Sequence, residues 1–233
     1  MIAIPIDGSP IERLKTLMTI LRDRHEGCPW DVEQTFETLS SYTIEEAYEV
    51  DHAIKQADYE ALKEELGDLL LQIIFHAEIA RESGLFDFDM ISEHLFAKLI
   101  RRHPHVFLNS VVSQTSVDQA QLWEQLKEEE RANRAGLKDS AVSELSDIPI
   151  AQPALSRTSK LQKRLRFSQD PKALCDRAWE NLKNTDSKQL QEEAIGELLF
   201  SIVALSRDLG FDAEELLRKR NMKFERNHMK SLA

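Results

Sequence analysis

The chain has 233 residues, of which 42% are apolar and 30% are charged, so it can bury a sizeable core as one large domain or two smaller ones. Its net charge of −11 makes a nucleic acid an unexpected partner, because a phosphate backbone repels an acidic surface. Cys28 and Cys175 give no disulfide framework or zinc spacing, and no apolar run is long enough to span a bilayer, so a cytoplasmic protein is expected.

Helices are predicted along most of the chain, since glycine and proline are scarce at seven each. Residues 10–24 carry an apolar stripe with helical spacing. Gly27 and Pro29 then break the pattern, which places Trp30 and Asp31 on a loop or short turn. Further helices are predicted at about 40–55, 58–83, 90–102, 117–134, 156–166, 171–184, 187–209 and 212–227. No strand is convincing, although residues 106–113 are a weak candidate.

The two halves of the chain resemble each other. EEAYE (45–49) matches DRAWE (176–180), and EELGDLL (64–70) matches EAIGELL (193–199), in the same order. Chance similarity between amphipathic helices is the alternative, but a shared mid-helix glycine favours a duplicated helical unit. The segment 135–155 lacks periodicity and is predicted to be a linker. The predicted domains are therefore a catalytic unit at 1–134 and a second unit at 156–233.

Two pairs of acidic residues form the candidate site. Glu46 with Glu49, and Glu65 with Asp68, are each spaced i, i+3, which puts both carboxylates of a pair on one helix face. A short connection between the two predicted helices favours an antiparallel hairpin that brings all four together. The apolar run 69–75 is expected to be buried, and carboxylates beside a buried wall lose hydration, which is costly unless a cation or hydrogen-bond donors replace the water. Oxygen ligands of this kind suit Mg²⁺, with Mn²⁺ as a substitute.

Two details qualify this interpretation. Residues 43–46 also fit a capping box, in which Glu46 would close the start of a helix rather than bind metal. Gly67, between Glu65 and Asp68, costs roughly 1 kcal/mol in a helix interior relative to alanine. A close approach of another group to Gly67 is therefore expected.

Basic and aromatic residues complete the candidate site. Lys98, Arg101 and Arg102 share one helical turn and could clamp phosphate, or else be ordinary surface cations at a helix end. Trp30 could stack on a base or plug the core. Acids for Mg²⁺, cations for phosphate and an aromatic ring for a base together suggest a nucleotide hydrolase.

Three segments resemble the MazG family of all-α nucleoside triphosphate pyrophosphohydrolases: CPWDVEQTFETLSSYTIEEAYEV (28–50), EELGDLLLQIIFHAEIA (64–80) and KLIRRHPHVF (98–107). The resemblance implies an all-α fold of tandem, four-helix-bundle-like MazG units that dimerise. It also implies cleavage of a nucleoside triphosphate between the α and β phosphates, which gives the monophosphate and pyrophosphate.

The resemblance also implies roles for individual residues. Glu46, Glu49, Glu65 and Asp68 are expected to bind Mg²⁺, Lys98, Arg101 and Arg102 to contact the triphosphate, Trp30 to lie near the nucleotide, and Glu45 to orient or deprotonate the attacking water. Some two-domain members are active in the second domain. In this chain, Arg177 and Ala194 occupy two positions of the second unit that correspond to acids in the first. Activity is therefore expected in residues 1–134, and the second unit is expected to be degenerate.

Two other functions remain open at this stage. The first is a narrower pyrophosphatase for deoxyuridine or another modified triphosphate. The second is a helical module that senses nucleotides or docks a partner with little turnover.

Overall fold

The structure is a computed structural model that describes residues 4–107, 122–130, 145 and 148–232. Every regular element among these residues is a helix, which confirms the all-α prediction for the described part of the chain. None of the described helices is both long enough and apolar enough to cross a membrane. The chain divides between Leu126 and Lys127 into two compact units.

Six numbered helices lie in the first unit: α1 (Pro10–Leu21), α2 (Pro29–Glu33), α3 (Phe36–Gln56), α4 (Tyr59–Glu82), α5 (Phe88–Arg102) and α6 (Pro104–Phe107). Four of them begin at a residue whose side chain accepts a hydrogen bond from the first turn: Ser9, Thr35, Asp58 and Asp87. Such caps satisfy backbone donors that a helix leaves unpaired at its start.

Four numbered helices lie in the second unit: α7 (Ala154–Arg164), α8 (Pro171–Lys183), α9 (Lys188–Asp208) and α10 (Ala213–Leu232). Residues 122–130 are also helical. In the second unit, α8 and α9 form the most extensively packed helix pair.

Several predicted boundaries need correction. The structure begins α3 at Phe36, where Thr35 and Thr38 cap each other reciprocally, so Glu46 lies in mid-helix and the capping-box alternative for it is wrong. Trp30 lies on α2, a single short helix. Of the weak strand candidate, residues 106–107 are helical and the remainder lies outside the described residues. Most of the predicted linker, 135–155, also lies outside them.

The helical hairpin α3–α4 is the scaffold of the first unit. Its connection is short because Ala57 adopts a left-handed conformation (φ 55°) and Asp58 then caps α4. The two helices pack along each other, as predicted. The core beneath them consists of five buried side chains from α1, α3 and α4: Met18, Leu39, Ile74, Phe75 and Ile79.

The predicted burial of the apolar run 69–75 is only partly correct. Ile74 and Phe75 are buried, but Leu71 and Ile73 remain 42% and 40% exposed. A helix of the first unit therefore presents an apolar surface that the chain's own described residues do not cover.

Candidate functional site

The hairpin brings three of the four predicted metal ligands into one cluster. Glu46 and Glu49 lie one turn apart on α3, and Glu65 lies on the adjoining first half of α4. Each offers one carboxylate oxygen, and these oxygens all lie within 4.8 Å of one another. The helical spacing places the acids of each pair on one helix face, and the hairpin turns these two faces toward each other.

The pKa values of this cluster show its unbalanced negative charge. Burial, followed by the carboxylates of Asp68, Glu49 and Glu65, raises the pKa of Glu46 above its ordinary value. The pKa of Glu65 is raised in the same way, first by burial and then by Glu49 and Asp68. All these charged neighbours are acids, so a cation placed among them would relieve the repulsion.

Asp68 adjoins the cluster without being one of the three converging carboxylates. It lies one turn after Glu65 on α4, is exposed, and acts electrostatically on both Glu46 and Glu65. A Cβ atom added at the intervening Gly67 would meet no atom of the described chain within 4 Å. The expected close approach to Gly67 is therefore not made by this chain's own described residues.

The predicted phosphate-binding cations lie on the last turns of α5. Within the described part of the chain, Lys98 has no hydrogen-bond or ion-pair partner. The guanidinium of Arg102 lies 5.3 Å from the centre of the Trp123 ring, a cation–π distance. Trp123 also contacts the ring of His103 edge to face at 5.1 Å between centroids. Arg101 is exposed at the same end of the helix.

Trp30 combines the two roles that the sequence left open. Its ring meets the buried Phe75 edge to face, with centroids 6.4 Å apart, yet the residue stays 52% exposed. Its ring also meets Tyr42 edge to face at 6.4 Å. Tyr42 precedes Glu46 by four residues, so both lie on one face of α3 about 6 Å apart along the axis. An exposed aromatic pair therefore lies one turn from the acid cluster.

Glu45, the expected water-orienting residue, is exposed and is not one of the three clustered carboxylates. Sequence reasoning missed Tyr42 and Trp123 as neighbours of the predicted site residues. The spacing of Tyr42 from Glu46 was a local signal that could have identified it. Trp123 had no such signal, because it follows Arg102 by 21 residues and meets it only through tertiary packing.

Known proteins resemble this chain in sequence over most of its length. Residues 34–107 match the MazG nucleotide pyrophosphohydrolase domain, a range that includes all four acids and the three cations but not Trp30. The chain is 46% identical to a nucleoside triphosphate pyrophosphohydrolase of Escherichia coli, covering 93% of this chain and 84% of that protein.

Two further relatives have similar names. A protein of Thermotoga maritima described as a nucleoside triphosphate pyrophosphohydrolase/pyrophosphatase MazG is 42% identical over 93% of this chain and 83% of its own length. A nucleoside triphosphate pyrophosphohydrolase of Mycolicibacterium smegmatis is 31% identical over 87% of this chain and 61% of its own length.

Proposed function

The chain belongs to the MazG family of nucleoside triphosphate pyrophosphohydrolases, which are hydrolases, and we propose that it cleaves nucleoside triphosphates between the α and β phosphates with Mg²⁺. The products would be a nucleoside monophosphate and pyrophosphate. The observation that carries this proposal is the convergence of Glu46, Glu49 and Glu65 within 4.8 Å on the α3–α4 hairpin.

The donor set fits a hard divalent cation. All three groups are carboxylates, and neither histidine nor cysteine belongs to the cluster, which favours Mg²⁺ or Mn²⁺ over zinc. The raised pKa values of Glu46 and Glu65 support the same interpretation, since the charged neighbours that act on them among the described residues are all acids. Asp68 would supply a further oxygen from α4. When bound, such an ion offsets phosphate charge and makes a coordinated water more acidic.

The cations of α5 would bind the triphosphate. Cleavage leaves pyrophosphate with more negative charge than the substrate linkage carried, and Lys98 and Arg102 would stabilise that charge. The ring of Trp123 restricts where the Arg102 guanidinium can lie, which lowers the entropy cost of placing it against a phosphate. Arg101 would contribute a more exposed charge.

The nucleoside would lie against the aromatic pair of Trp30 and Tyr42. Both rings are partly exposed, and both lie close to the helix face that carries Glu46. Base stacking on an aromatic ring tolerates every base, which suits an enzyme acting on several nucleotides. Glu45 would orient the attacking water or accept its proton, from a position next to the cluster.

We also propose a homodimer built from MazG-like units in tandem. Support comes from apolar side chains left exposed along the hairpin, including Ile44, Leu66 and Leu71. A second copy that packed on this face would bury them and would explain why Gly67 has open space beside it. Light scattering coupled to size exclusion tests this: a monomer at micromolar concentration would contradict it.

Phosphorus NMR of ATP, dCTP and dUTP, each with protein and either Mg²⁺ or EDTA, tests the reaction. Metal-dependent appearance of monophosphate and pyrophosphate is the expected result. Release of orthophosphate with a diphosphate would contradict α–β cleavage. Turnover of dUTP alone would indicate the narrower pyrophosphatase, and binding without turnover would indicate a nucleotide-sensing module.

A further inference from the structure

Arg22 is a buried cation that the proposed reaction does not use. It is only 8% exposed, although arginine is rarely buried unless it is fully paired. It ends α1, and its partners lie on two other helices. Its position therefore requires an explanation beyond surface charge.

One side of the Arg22 guanidinium binds α4. Its Nε and one terminal nitrogen donate to the two carboxylate oxygens of Glu82 at 2.9 and 2.8 Å, a bidentate pair. Its carbon lies 5.4 Å from the centre of the Phe75 ring, in the core. These contacts hold the guanidinium in one orientation relative to the core and the end of α4.

The other side of the guanidinium binds the carboxyl end of α2. The remaining nitrogen donates to the backbone carbonyl of Asp31, and to that of Gln34 at 3.2 Å. The Asp31 carbonyl also accepts the Gln34 N–H at 3.3 Å, so Arg22 adds a second donor to the carboxyl end of α2 from a distant position. A cation at this end also complements the helix dipole.

The short helix α2 depends on such external contacts. It has five residues, too few to be stable alone, and its N-cap Cys28 makes no side-chain cap. The backbone N–H of Cys28 donates to the Leu21 carbonyl at 2.8 Å, which secures one end. Arg22 secures the other end, immediately after Trp30.

We propose that Arg22 is a positioning residue that holds Trp30 at the place where the nucleoside base binds. This inference rests on the proposed function, because it assumes that a nucleotide occupies the acid cluster. Arg22 does not touch the substrate in this scheme. It acts through α2, and its loss would weaken the binding of the base but not that of the phosphates.

Calorimetry with α,β-methylene-ATP and with inorganic tripolyphosphate, each with Mg²⁺, separates base from phosphate binding. We expect Arg22→Lys to raise the dissociation constant of the nucleotide about tenfold, the size of effect that loss of a stacking contact produces. The dissociation constant of tripolyphosphate should change less than about twofold. Equal weakening of both ligands would overturn the proposal, because it would mean that Arg22 only supports the fold. A wild-type protein that binds both equally well would also overturn it.

Arg81→Lys is the matched control. Arg81 forms a comparable bidentate pair with Glu78, at 2.9 and 2.7 Å, on the same helix as Glu82, but within the described part of the chain its side chain makes no hydrogen bond to α2. We expect its nucleotide affinity to change less than about twofold, as is usual for a substitution away from the site. If Arg22→Lys fails to fold, Glu82→Gln loosens the same guanidinium and should raise only the nucleotide dissociation constant.

A double-mutant cycle tests whether Arg22 acts through Trp30. In a Trp30→Leu background, Arg22→Lys should add less than about a twofold further loss of nucleotide affinity, since the ring it positions is gone. Full additivity of the two losses would contradict the proposal. These experiments measure binding and not turnover. If the protein bound the nucleotide selectively but did not hydrolyse it, the proposed reaction would be wrong and the proposed role of Arg22 would be unaffected.

Discussion

Two helix pairs of this protein, α3–α4 and α8–α9, share an arrangement but differ in charge. Each consists of two long helices joined by a short connection, and the second helix of each pair carries a mid-helix glycine, Gly67 or Gly196. Added Cβ atoms at both glycines would meet open space. The packing of the helices therefore does not explain why only one pair carries an acid cluster.

The difference lies in a few side chains. In the first pair, Glu46, Glu49 and Glu65 converge, and the charged neighbours that act on Glu46 and Glu65 among the described residues are acids. In the second pair, the sequence match places Arg177 and Ala194 at the positions of Glu46 and Glu65. Arg177 puts a cation in place of the first acid. Ala194 puts a small, buried side chain, 5% exposed, in place of the second.

The acid that remains on α8 is also neutralised. Glu180 corresponds to Glu49, and the Lys183 ammonium donates to its carboxylate at 2.6 Å. The helical hairpin is thus a common scaffold, and in the proposed function the side chains at the acid positions would decide whether it binds a cation. Changes at those positions should alter the chemistry of one unit without altering its fold.

The largest expected effect is on turnover. Glu49→Gln, or Asp68→Asn, should lower kcat by at least about 100-fold, because each removes a charged oxygen from the proposed metal site. The matched change in the second pair, Glu180→Gln, should leave kcat within about twofold. Initial rates of pyrophosphate release measure both. A folded Glu49→Gln protein with normal activity would rule out this site.

A smaller effect is expected on the stability of the metal-free protein. Glu46→Arg gives the first pair the charge that Arg177 gives the second. It should raise the free energy of unfolding at pH 7 by about 0.5–1 kcal/mol, because it replaces repulsion with attraction at a partly exposed site. Chemical denaturation with EDTA measures this, and Glu45→Arg, next to the cluster, should give no comparable gain.

The pH dependence of this gain follows from the raised pKa of Glu46. Because the pKa of Glu46 is raised, the folded protein binds a proton at this carboxylate more tightly than the unfolded chain does. The stability that Glu46 contributes is therefore fully present below its ordinary pKa of 4.5 and is lost as the pH rises through its raised pKa in the folded protein. The advantage of Glu46→Arg should therefore shrink toward pH 4.5. Mg²⁺ should stabilise the wild type but not the variant, and a persistent Mg²⁺ effect would contradict this.

The smallest effect concerns the two glycines. Gly196→Ala should stabilise the protein by up to about 1 kcal/mol, since alanine favours a helix interior and the position is open. Gly67→Ala should give a smaller gain, because the proposed second copy would pack on the face of α4 that carries Gly67. Thermal unfolding of the two variants measures this. A gain in Gly196→Ala alone would indicate that a ligand or a second copy approaches α4 at Gly67.

Local patterns were sufficient to predict the longer helices and the acid cluster, but not the short helices α2 and α6. The placement of Glu46 and Glu49 on one helix face depends only on the helical period. The connection at Asp58 is so short that the next helix must pack alongside the first. The start of α3 was misplaced because its cap uses Thr35 and Thr38 rather than the acidic partner of the usual capping box.

Tertiary structure decided what local patterns could not. Leu71 and Ile74 are both apolar residues of α4, yet one is exposed and the other buried, because burial depends on which neighbours face each side. The partners of Arg22 lie 9, 12 and 60 residues away, and no periodicity links them. The sequence by itself determined the helical character of the described residues and the helical spacing of the four acids, since those properties are set within one or two turns. The exposure of Trp30 and the hydrogen bonds of Arg22 to the end of α2 arose only from long-range packing.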